Sequence, residues 1–134
     1  MKATANIPIG AQAERFVEVS RDLTVAHFHN DMPEVYGTPM MIYLMEVAAA
    51  AAIEEYLPEG WVSVGVVVNV KHLAATPTGF RVKARAEVVE VSDSTITFTV
   101  EAHDGVEKIG EGTHVRAPVN MERFMQRVKA KTGR

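Results

Sequence analysis

The chain contains no cysteine among its 134 residues. This excludes a disulfide framework, a thiolate nucleophile and cysteine-ligated zinc, and it is compatible with a reducing compartment. Other absences narrow the field further. No H-E-x-x-H or H-x-x-x-H helix is present, and His27, His29, His103 and His114 do not fall into a metal-binding set, so no metal is expected. There is no G-x-S-x-G, no Walker loop and no G-x-G-x-x-G. The N-terminal stretch has no continuous apolar segment of the signal-peptide kind. The most apolar run, Pro39 to Ile53, is short for a membrane span and carries a glutamate in its middle. No stretch forms a basic nucleic-acid footprint. The expectation is a cytoplasmic protein that binds neither nucleic acid nor membrane.

What is present is ordinary globular composition: 47% apolar residues, 23% charged residues and a net charge of −3. The length suits one domain over residues 1–134, large enough to bury a core without staples. The C-terminal segment is locally basic through Arg127, Lys129, Lys131 and Arg134. It reads as a solvated helix end that complements the macrodipole.

The periodicities order the elements. Residues 1–13 look like a loose lead-in, and Arg15 to Ser20 like a short strand. His27 to Gly37 mixes His, Asn, Asp and Pro and reads as an irregular connection or flap. A helix is predicted from Thr38, with Thr38 as N-cap and Pro39 at the first helical position, to about Tyr56. It is apolar nearly all round and should be buried on most sides. Four strands follow, predicted over Trp61 to His72, Phe80 to Val91, Thr95 to Ala102 and Val106 to Val119. The second and third alternate cleanly, so one face of an antiparallel sheet should be buried and the other wet. A short amphipathic helix over Met121 to Lys131 ends the chain. A sheet with one apolar face needs a cover, and only the long helix is apolar enough. The expected class is α+β, with an antiparallel sheet wrapped around a long central helix.

Glu46 is the anomaly in that helix. It is the only charged residue from Pro39 to Ile53, and its neighbours three and four positions away are Ile42, Tyr43, Ala49 and Ala50. Burying a carboxylate costs several kcal/mol unless it is paired, and such groups collect at active sites. A glutamate facing a solvent gap or a dimer seam has the same pattern. His72 ends a strand on the same parity as Val62, Val64, Val66, Val68 and Val70, which points its ring to the apolar side; a satisfied core histidine reads the same way. Thr38 has two readings, a capping hydroxyl or a hydroxyl that faces a polarised group at the positive helix end.

The segments Val35-Tyr36-Gly37-Thr38-Pro39-Met40, Leu44-Met45-Glu46, Val70-Lys71-His72-Leu73-Ala74-Ala75-Thr76-Pro77 and Ala102-His103-Asp104-Gly105 together resemble the fluoroacetyl-CoA thioesterase branch of the hotdog superfamily. The resemblance implies a hotdog fold and a catalytic set of a Thr, a Glu eight residues later and a His twenty-six residues beyond it, matched by Thr38, Glu46 and His72. It also implies a substrate-side glycine, matched by Gly65, and a substrate-binding arginine, matched by Arg116. The bland readings of these two are a strand bulge and a surface ion pair. The family lids its pocket with phenylalanines where this chain has His29 and Met32. These residues are therefore expected at the substrate, and the expected substrate is a small acyl-CoA in general rather than the fluorinated one.

The implied activity is thioester hydrolysis to a carboxylate and free CoA, with no cofactor, CoA being part of the substrate. Glu46 would attack or activate water, His72 would position that step or protonate the thiolate, and Arg116 would meet a phosphate or the pantetheine carbonyls. The resemblance also implies a homodimer with sites at its interface, with Trp61 to Lys71 as the pairing strand because Val66, Val67 and Val68 are apolar on both parities. The alternative is a non-catalytic hotdog module that binds an acyl-CoA or similar ligand; a hotdog dehydratase is a third reading.

Overall fold

The alternation in the middle of the chain sets the architecture. In the computed structural model, which describes residues 2–133, five strands form one antiparallel sheet: β1 (Gln12–Glu18), β2 (Trp61–His72), β3 (Arg81–Val91), β4 (Ile96–His103) and β5 (Lys108–Asn120). Their order across it is β1–β3–β4–β5–β2, which leaves β1 and β2 as the edges. Val82, Ala84, Ala86 and Val88 of β3, with Ile96, Phe98, Val100 and Ala102 of β4, form the buried inner face. Each larger one contributes about 1.5–3 kcal/mol through removal from water.

Three helices accompany the sheet: α1 (Val25–Phe28), α2 (Thr38–Ile53) and α3 (Met121–Ala130). The sheet curls around α2, whose Met41, Leu44, Met45, Ala48 and Ile53 are buried against it. The helix then tightens into a 3₁₀ turn over Glu54–Tyr56. Gly110 on β5 allows the close approach, since a Cβ there would stand 2.5 Å from Met41 Sδ. Gly112 is tighter still: its Cβ would lie 2.2 Å from the Asn69 carbonyl oxygen and 2.6 Å from Val70 Cα, both backbone atoms of β2. Backbone cannot swing aside. Gly112→Ala should therefore destabilise the protein by more than about 2 kcal/mol; a melting temperature within a degree or two of wild type would contradict this.

Four expectations need correction. The cap of α2 is Gly37, in extended backbone, and Thr38 is already the first helical residue. The residues before β1 are anchored, with Ile7 in the core and Thr4 buried. The long helix is not covered all round: Tyr43 is 64% exposed, and Val47, Ala50 and Ala51 beside it are only partly covered. Finally, β2 does not hold one parity. Its pairing with β5 slips between Gly65 and Val67, a β-bulge at Val66. Trp61, Ser63 and Gly65 face inward before the bulge, and Val68, Val70 and His72 after it. Val62 and Val64 thus lie on the face opposite His72. The terminal helix is capped by Asn120, which accepts from the Arg123 amide at 3.1 Å, and its last turn carries Arg127 and Lys129; Arg134 lies outside the described residues. No helix among the described residues is long and apolar enough to cross a membrane.

Candidate active site

Two polar clusters form where α2 meets β2. The first lies at the start of the helix. Because Gly37 serves as cap, the Thr38 hydroxyl makes no capping bond and instead meets His72 Nδ1 at 2.7 Å. His72 reaches it from the end of β2, opposite Gly110. Burial holds the imidazole pKa below its ordinary value, with the Ala74 carbonyl acting weakly the other way. The ring is therefore neutral near pH 7, and its Nε2 is buried with no protein partner. Beneath this pair Tyr36 is buried and donates to the Met40 carbonyl at 3.1 Å. Desolvation raises its phenol to about 12, so it stays protonated and acts as a fixed strut. The pair opens onto a cavity of about 350 Å³ lined by Val25, Tyr36, Leu73 and Ala75.

The second cluster lies two helical turns on. Glu46 Oε2 is 3.5 Å from Arg116 Nη1. The carboxylate is less enclosed than its apolar sequence neighbours suggest, with its side chain 35% exposed in the single chain. Gly65 faces it directly: a Cβ at that position would stand 2.5 Å from Glu46 Oε2. Bareness here lets β2 backbone approach the carboxylate. Arg116 is no surface ion-pair partner, being only 7% exposed. Its Nε donates to Ser63 Oγ and its Nη2 to the Ser63 carbonyl, each at 2.8 Å, while Nη1 serves Glu46 and His114 Nε2. Four of its five N–H groups are thereby committed within the protein, so one N–H rather than a free two-pronged fork remains for the expected phosphate or carbonyl contact.

His29 and Met32 lie on the exposed segment after α1, Met32 being 46% exposed. Neither touches the two clusters through a hydrogen bond. The same segment carries an aromatic that the sequence reading passed over: Phe28, 61% exposed, stands edge-on to His27 with ring centroids 5.0 Å apart. His114 was weighed only as a metal ligand. Its place beside a hairpin hid that it shares a face with Arg116, two residues along β5. Among the described residues no group of three or more His, Asp or Glu is arranged to hold a metal ion.

The architecture has well-matched relatives. A hot-dog-like protein from Thermanaerovibrio acidaminovorans superposes with a TM-score of 0.87 at 26% identity, over 98% of this chain and 97% of that one. The fluoroacetyl-CoA thioesterase FlK superposes with a TM-score of 0.88 at 37% identity, over 92% and 96%. The fold is thus the hotdog fold, and the chain is a thioester hydrolase of that class. A fluoroacetyl-CoA thioesterase from Streptantibioticus cattleyicolor is 43% identical over 102 residues, covering 76% of this chain and 73% of that protein. The family model described as fluoroacetyl-CoA-specific thioesterase matches residues 19–122, and the chain belongs to that family.

Proposed function

We propose that the protein hydrolyses a small acyl-CoA to the carboxylate and free CoA, in sites that each draw on two copies of the chain. One observation carries the second half of this reading. Thr38 and Glu46 are eight residues apart on one helix, a separation of about 12 Å along its axis. The Thr38–His72 pair and the Glu46–Arg116 pair therefore do not meet within one protomer, yet both border β2. That strand is an unpaired sheet edge with Val66, Val67 and Val68 exposed at its middle. An edge of this kind calls for a partner. Antiparallel pairing of β2 with its two-fold copy, centred near Val68, would lay Gly65 of one chain opposite the end of the partner strand. The Glu46 cluster of one protomer would then face the Thr38–His72 pair of the other. The exposed face of α2 around Tyr43 would be covered in the same assembly. Sedimentation should give a homodimer; a monomer at micromolar concentration would count against the composite site.

In such a site the thioester carbonyl lies between the two clusters. Glu46 attacks the carbonyl carbon, giving an anhydride that water then opens to release the carboxylate, or takes a proton from an attacking water. The C–S bond breaks, and the departing thiolate receives the proton released by water, relayed by the His72 ring, which enters the cycle neutral. Thr38 fixes the imidazole and orients the acyl group. Backbone N–H near Gly65 supplies a donor to the oxyanion. Arg116 holds the Glu46 carboxylate and offers its remaining N–H to the substrate. Phe28, His29 and Met32 cover the acyl end. No separate cofactor takes part, and free acyl-CoA as substrate implies a cytoplasmic setting.

The direct test is thiol release from a panel of acyl-CoAs that includes acetyl-, fluoroacetyl- and longer-chain thioesters. Turnover of the small members is expected. Binding without thiol release would favour the non-catalytic module, and activity confined to hydroxyacyl or enoyl thioesters would favour a dehydratase.

The pH dependence follows from His72. Burial depresses its pKa below the ordinary 6.5, so the neutral ring still predominates at that pH. The acid limb of kcat/KM should therefore be centred below pH 6.5. The same depression means the unfolded chain binds the proton first. Stability should therefore decline as pH falls below 6.5 and level off beneath the folded-state pKa. An acid limb centred at or above 6.5 would contradict the assignment.

A further inference from the structure

We propose that His114 is a positioning residue: a neutral imidazole that holds the Arg116 guanidinium against Glu46 and ties both to the bulge in β2. The inference rests on the reading of Glu46 and Arg116 as site residues and adds a residue to it. His114 is 2% exposed, on the inner face of β5. Its Nε2 is 3.2 Å from Arg116 Nη1, and its Nδ1 is 2.8 Å from the Val67 carbonyl oxygen. An arginine N–H only donates, so Nε2 must accept and carry no proton. A carbonyl oxygen only accepts, so Nδ1 must carry one. Two partners of opposite kind thus fix one tautomer of an uncharged ring. Burial and the adjacent guanidinium both hold its pKa down, against the opposing pull of the Val67 carbonyl and Glu46.

The consequence is geometric. Arg116 Nη1 has two hydrogens, and His114 engages one while Glu46 engages the other. With Ser63 fixing the opposite side of the guanidinium at 2.8 Å, its plane has no remaining freedom to turn. The ring is itself held in a stacked arrangement with Phe98, at a centroid distance of 6.0 Å. Its Cε1 lies 3.1 Å from where a Cβ of Gly65 would be. His114 therefore joins the three things that set the carboxylate position: the arginine, the bare glycine and the displaced carbonyl beside the bulge. Without its acceptor, the Nη1 end of the planar guanidinium is held only by the 3.5 Å contact to Glu46, and the carboxylate loses a defined orientation, a displacement of the kind that lowers kcat rather than binding.

The test uses the full-length protein with a hydrolysed acyl-CoA and the variants His114→Phe, His114→Gln, His114→Asn and Arg116→Ala. Phe keeps the stacking and removes both hydrogen bonds. Gln carries an acceptor at the reach of Nε2, whereas Asn matches only the Nδ1 donor. His114→Phe should lower kcat about tenfold or more with KM little changed. Gln should recover most of the rate and Asn should not. The double variant His114→Phe/Arg116→Ala should be no slower than Arg116→Ala alone, because one residue acts through the other. Wild-type kcat in His114→Phe, or losses that multiply in the double variant, would overturn the proposal. Should His114→Phe fail to fold, the two amides decide: Asn as active as Gln also overturns it. A fully active Glu46→Gln would instead remove the underlying reading, so the two failures are distinguishable.

Discussion

Glu46→Gln should lower kcat by a factor of about 10²–10⁴, the range that a positioned base or nucleophile supplies, while the melting temperature moves little. The replacement has the same shape and leaves an oxygen for Arg116 Nη1, now 3.5 Å from the carboxylate. It removes the negative charge and with it any capacity to attack a carbonyl or accept a proton from water. The effect on stability is small because the carboxylate is 35% exposed and its ion pair with Arg116 is long and partly screened, worth about 1 kcal/mol or less. Thiol release under saturating substrate measures the first quantity, and thermal unfolding the second. A rate within twofold of wild type would take Glu46 out of the chemistry. A large loss of stability would mean that the residue is structural.

The second large effect concerns which chain supplies which group. Glu46→Gln and His72→Ala should each be nearly inactive as homodimers. A heterodimer carrying one variant in each chain, isolated by two affinity tags after co-expression, should recover about half of the wild-type activity. If every site takes Glu46 from one protomer and His72 from the other, one of the two sites is intact and its twin lacks both groups. A heterodimer as inactive as its parents would place the two residues in one chain's site and end the composite arrangement. The experiment also separates the roles of the Thr38–His72 pair from mere packing, since a misfolded partner could not restore turnover.

Most of the fold was legible in the chain because the signals were local. The alternation from Val82 to Val88 and from Ile96 to Ala102 is buried as its period requires, and β2 has the predicted bounds. What escaped was set by tertiary contact. Thr38 before proline has the look of a cap, but the cap position went to Gly37 and the hydroxyl is used by His72. Ile7 is in the core because the lead-in is tied alongside β3, where the Gly10 amide donates to the Val88 carbonyl at 2.8 Å. The apolar helix suggested burial on most sides, yet Tyr43 stands open, since composition does not say whether the cover comes from the same chain.

The site residues show the same divide. The lone charge of Glu46, the strand-end place of His72, the helix-start place of Thr38 and the family resemblance made these three the candidates, and the structure brings Thr38 and His72 together while keeping Glu46 apart. Arg116 was noted, but its burial was not legible, because β5 alternates weakly: Gly110 and Gly112 occupy inward positions that an apolar pattern would fill. The inward facing of His114 was hidden for the same reason. The one available signal was its separation of two residues from Arg116, which puts both side chains on one face of a strand.

The bulge at Val66 makes the valine run sensitive to length in a way it is not to chemistry. An extra residue without a ladder partner is what lets Gly65 and His72, seven positions apart, look in the same direction. Exchange of one valine for another β-branched residue there leaves that direction alone. Removal or addition of a single codon between the bulge and His72, with the bulge itself kept, would turn the imidazole to the outer surface and silence the enzyme while every hydrogen-bonding strand still formed.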